Sequence, residues 1–154
     1  MKDLLNYLNE KRLEAHNRQS HVETQLSNKK SVKIQKNKII LDSLLKIQRE
    51  NLIIKKYLDN EINILADSGK SYYLKSDWIE YFNNKCLELE INQKRLLDEV
   101  DCYLEQKSHN KVIAAELIVK QRDNLSLIDF VIECKRDIYT EFLVETALAS
   151  KVFI

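Results

Sequence analysis

The sequence predicts an all-α fold, a long antiparallel two-helix coiled-coil hairpin turning near Gly69. Three observations carry that expectation. The 154 residues contain no proline and one glycine, the two residues that break helices most effectively. Charged residues make up 32% of the chain and aromatic ones 8%, a usage close to that of long exposed helices. Apolar residues recur at alternating steps of three and four, the 3.5-residue period of a helix facing a helical partner. The expected organisation is one domain over 1–154, with helix 1 over about 3–67, a turn at 68–71 and helix 2 over about 72–150. At 1.5 Å per residue the arms would be about 95 and 115 Å long.

The first arm opens with Leu4, Leu8, Ala15 and Val22, a seam offset from the one that follows. The phase changes between Ser27 and Lys38, a stretch with five lysines. That stretch reads as a solvated helix face or as a basic docking surface. From Ile40 the seam runs Leu44, Ile47, Asn51, Ile54, Leu58, Glu61, Leu65. Asn51 falls at an inward position, where a single asparagine can set register at some cost in stability.

Past Gly69, Asp77 and Glu80 have the spacing of a capping box, which places a helix start near Trp78 or Ser71. The second seam reads Phe82, Cys86, Leu89, Gln93, Leu96, Val100, Tyr103, Lys107, Asn110, Ala114, Leu117, Gln121, Asn124, Ile128, Val131, Lys135, Ile138, Phe142. Its phase runs through the polar cluster Ser108, His109, Asn110, which favours one continuous helix. The alternative is a three-helix bundle with a break near Ser108 to Asn110.

Net charge is +1, so no overall basic field draws nucleic acid. Residues 1–70 carry a net +5 and residues 71–154 a net −4, an asymmetry that favours antiparallel pairing. Cys86, Cys102 and Cys134 show no CxxC, and His16, His21 and His109 share no helical face, so no metal site is expected. An odd cysteine count and a start without a long apolar run point to a reducing, cytoplasmic setting with no membrane insertion. Gly69, Lys70 and Ser71 end like a Walker A loop, but Ile64 stands where its first glycine belongs. Nothing converges on a nucleophile and base. The sequence reads as non-enzymatic, with no cofactor.

Two regions suggest contacts with partners. Tyr72, Tyr73, Trp78 and Tyr81 cluster beside the turn, and aromatic residues anchor interfaces. At the arm ends, Leu4, Leu5 and Leu8 and the tail residues Phe142, Leu143, Val144 and Phe153 are apolar. The unequal arm lengths would leave the tail without an internal partner.

Together the two seams, the Gly69 turn and polar heptad runs such as Leu87 to Leu97 resemble the FliJ/YscO family, the stalk proteins of flagellar and virulence type III secretion systems. The resemblance implies a central stalk that inserts into a hexameric secretion ATPase and reaches the export gate, with secretion chaperones as further partners. The arm ends would enter the ATPase and the aromatic tip would face the gate. A second expectation is a coiled-coil adaptor or secretion chaperone that acts by oligomerisation and protein binding. Lys107, Asn110, Gln121 and Asn124 would then mark where further helices pack.

Overall fold

The computed structural model describes residues 2–30, 38–106 and 110–152. Among them the fold is all-α, but it has four helices rather than two. They are α1 (Leu4–Lys30), α2 (Lys38–Ser68), α3 (Lys75–Leu104) and α4 (Lys111–Val152). The chain divides into two compact units, Met1–Ser71 and Tyr72–Ile154. Each is an αα-hairpin, α1 with α2 and α3 with α4. The two-helix hairpin is thereby corrected. Each expected arm is itself folded back, and Gly69 lies where the first hairpin ends.

Capping chemistry explains the boundaries. Asp3 starts α1: its Oδ1 accepts the Asn6 N–H at 2.9 Å, and its carbonyl accepts the Tyr7 N–H at 3.1 Å. Asn110 starts α4 in the same way, with Oδ1 taking the Val112 N–H at 2.8 Å. Both are the short polar side chains that satisfy first-turn donors. Leu74, the residue that precedes α3, offers no side-chain cap. The capping-box expectation is therefore corrected: Asp77 lies inside the first turn, where its charge still suits the positive end of the helix dipole.

Gly69 ends α2 with a left-handed φ of 67°. Its N–H donates to the Ala66 carbonyl at 3.2 Å, and Ser68 Oγ donates to the Leu65 carbonyl at 2.6 Å. A left-handed residue just past the last turn is the common helix stop, and glycine adopts it without the Cβ penalty.

Within the first hairpin, an ion pair and a hydrogen bond between the helices mark the alignment. Arg12 meets Asp59, and Lys55 Nζ lies 3.1 Å from His16 Nδ1. Leu4 and Leu8 are fully buried, level by that register with the last turns of α2, where Glu61 and Leu65 are also buried. Toward the other end, Val22, Leu26 and Leu44 form a core with Leu41 against it. Residues 31–37 of the lysine-rich stretch lie outside the described residues.

In the second hairpin α3 buries Trp78, Phe82, Cys86, Leu89, Leu96 and Val100. From α4 come Asn124, Phe130, Val131, Cys134 and Ile138. Near the α3–α4 link, the Tyr103 hydroxyl accepts the Asn110 N–H at 2.6 Å. That bond ties the last turn of α3 to the cap of α4. Lys107, Ser108 and His109 lie outside the described residues.

Candidate functional site

The seam residues divide by what covers them. Leu44, Asn51, Leu58, Phe82, Leu89, Leu96, Val100, Val131 and Ile138 are buried, and Ile54, Tyr103, Leu117 and Ile128 are half-buried. Ile40 and Ile47 are exposed, contrary to their expected inward placement. A helix with one neighbour covers one row of side chains, and these two fall on its flank.

Asn124 is a fully satisfied polar group of the second seam. Its Nδ2 donates to the Leu89 carbonyl at 2.9 Å and to Gln93 Oε1 at 2.9 Å. Its Oδ1 accepts from Asn92 Nδ2 at 2.8 Å. Both donors are used and the acceptor is engaged, so burial leaves no amide atom unpaired. Asn124 thus serves its own hairpin and not a further helix, and Asn110 serves as a cap; both revise the adaptor expectation for those positions. Gln121 is half-buried. Asn51 contrasts with Asn124: it is buried, and its Nδ2 has no partner among the described residues.

The aromatic cluster lies at the open end of the second hairpin, beside the start of α3. Trp78 is buried, and its Nε1 donates to the Tyr72 carbonyl at 2.7 Å. Tyr72 is half-buried and Tyr73 exposed. Tyr81 stands edge-on to Phe82 with ring centroids 5.2 Å apart, and the Lys85 ammonium lies 5.4 Å from the Tyr81 ring centre. Lys75 pairs with Glu145 at 2.6 Å and Glu141 at 3.2 Å. The hydrogen bond to Glu145 raises the Lys75 pKa, partial burial opposes that, and Glu141 adds to the rise.

Those ion pairs bring together two groups of residues that the sequence reading put at opposite ends. Phe142, Leu143 and Val144 sit between the two glutamates that hold Lys75, alongside the start of α3. Phe142 is half-buried, whereas Leu143 and Val144 are exposed. Leu4 and Leu8 are committed to the core of the first hairpin, and Leu5 is half-buried. Phe153 lies outside the described residues.

Sequence reasoning missed the outward rows. Exposed large apolar residues include Leu45 and Leu52 on α2, seven apart, and Leu125, Ile132 and Tyr139 on α4, also at seven-residue steps. The same spacing that revealed the inward seam would have revealed these.

Concave surface is shallow. A groove of about 440 Å³ lies on the outer side of α3, lined by Ile91, Lys94, Arg95, Asp98, Glu99 and Cys102. Another, of about 320 Å³, lies between α1 and α2 at Asn9, Arg12, Leu13, His16 and Lys55. Burial pushes the Cys86 thiol pKa up, against the opposing pull of Lys135. Among the described residues no cluster of three or more His, Cys, Asp or Glu is placed to hold a metal ion. No described helix is long and apolar enough to cross a membrane. No family model, curated protein or solved structure matches the chain.

Proposed function

We propose that the protein is a non-enzymatic adaptor that binds other protein helices on the outward apolar rows of its hairpins. The observation that supports this is the doubled patterning of α2 and α4. Each has one apolar row against its partner helix and another facing out at heptad spacing. A helix that needs to satisfy one neighbour carries one stripe. Contiguous exposed apolar surface marks interaction sites. The larger groove lies on the outside of a single helix, an arrangement that suits surface contact more than the enclosure of a small substrate.

A photo-reactive amino acid tests the reading. Placed at Leu52 or Leu125 in cells of the source organism, it should give protein adducts. Placed at the exposed polar positions Ser43 or Glu133, it should give few. Equal yields at all four would contradict the proposal.

A type III secretion stalk, joining a hexameric secretion ATPase to an export gate, is the narrower form of this proposal. Exposed Leu143, Val144 and Leu148 at the end of α4 favour it. Its original premise of two unbroken arms no longer supports it. Co-purification with the cognate ATPase, lost on deleting 143–154, is its expected outcome; unchanged binding after that deletion counts against it.

A further inference from the structure

We propose that the outward row of α4 pairs with the same row of a second copy of this chain, antiparallel and centred on Ile132. The inference rests on the adaptor reading and names the occupant of one of its faces. Inward, α4 presents Asn124, Val131 and Ile138, all buried. One residue further on in each heptad come Leu125, Ile132 and Tyr139, which are 42%, 36% and 50% exposed. Half-buried Ile118 extends the row by one heptad, and half-buried Ile128 fills the step between Leu125 and Ile132. The row recurs at seven-residue steps, which a helix surface facing only water has no reason to keep. Helix α4 therefore carries two seams, one for α3 and one for another helix.

Charge selects the occupant. Asp129 and Arg136 flank the row on one side and are exposed, and among the described residues neither is in an ion pair. An antiparallel pair centred on Ile132 sets Ile132 against itself and Leu125 against Tyr139 of the second copy. It also brings Asp129 within one residue of the level of Arg136 of the second copy, and by two-fold symmetry it does so twice. In a parallel pair Asp129 and Arg136 of one copy would lie on the opposite side of the interface from those of the other, so neither attraction would form. An unrelated helix has no reason to match this pattern, whereas a second α4 matches it by symmetry.

Light scattering of the full chain at concentrations to about 100 µM tests this. The wild type should show twice the monomer mass. Ile132→Asp changes an exposed residue and should give a monomer with unchanged helical circular dichroism. Asp129→Arg should weaken the dimer about tenfold, because two attractions become repulsions. The double variant Asp129→Arg with Arg136→Asp should restore it. That rescue is a readout that loss of folding cannot imitate. A monomeric wild type, a dimer indifferent to Ile132→Asp, or a double variant no tighter than the single one would each overturn the proposal. A monomeric wild type that still gives row-confined adducts to other proteins overturns self-pairing and leaves the adaptor reading standing. Adducts equal at row and polar positions overturn the adaptor reading instead.

Discussion

Gly69 shows how much one residue can reveal. It is the sole glycine, its place in the sequence predicts a turn, and it stops α2 with φ of 67°. A Cβ there would meet no atom within 4 Å, so the cost of a side chain is conformational alone. Gly69→Ala should destabilise the first hairpin by about 1 kcal/mol, the left-handed penalty for an L-residue, with no change in helix content. Urea titration followed by circular dichroism measures it, and a loss several times larger would mean that Gly69 does more than end a helix. The cysteines give a second prediction at this scale. Cys102 is exposed, while Cys86 and Cys134 are buried. One thiol should react with a disulfide reagent in the native protein and three after unfolding. Its thiol pKa raised by burial, Cys86 should stay slow at alkaline pH that ionises an ordinary cysteine. Rapid modification of all three under native conditions would contradict the packing of the second hairpin.

At the scale of the element, heptad phase identified the inward rows yet misjudged the connections, for opposite reasons in the two halves. The first half shows a phase slip between Ser27 and Lys38, and α1 ends at Lys30 with α2 starting at Lys38. The slip was itself the sign of a break. In the second half the phase runs on through the break between α3 and α4. Tyr103 and Ala114 are eleven residues apart, the sum of two four-residue steps and one of three, so the connection keeps the register by count alone. Both seams then face each other in the hairpin, and continuity of phase carries no information about continuity of helix. The legible signal was local: Ser108, His109 and Asn110 are polar residues in a row, and asparagine caps helices. With no proline or glycine there, α3 ends on backbone bonds from Glu105 and Gln106, and the Asn110 side chain starts α4. The pairing role of Asn124 was not legible, since an inward asparagine declares no partner. Asn124→Ala should cost about 2 kcal/mol, because it strips partners from Asn92 and Gln93 in a partly buried place. Asn124→Leu should cost less while loosening the α3–α4 register. Chemical denaturation gives the costs, and backbone amide exchange along α3 gives the register. An alanine variant as stable as wild type would show that the network contributes nothing net.

Across the whole molecule, the helical class followed from composition and the 3.5-residue period. The number of helices did not, because long and short antiparallel hairpins bury the same kind of row. Charge follows the true division: the net +5 lies in the first hairpin and the net −4 in the second. The split that suggests two attracting arms in the sequence coincides with the boundary between the two compact units. The candidate binding surface moved accordingly. The aromatic cluster and the residues around Phe142 belong to one end of one hairpin, and the outward rows, unnoticed in the sequence, became the surface with the strongest case. All of this depends on α3 and α4 being folded together. Energy transfer between dyes on Ser76→Cys and Thr140→Cys, in a Cys102→Ser background labelled under native conditions, tests that directly. The Lys75 ion pair to Glu141 puts these sites side by side, so the dyes should lie within about 20 Å, two packed helices and their linkers, with transfer near complete. One continuous helix from 72 to 150 would hold them about 96 Å apart, and transfer near zero would contradict the hairpin.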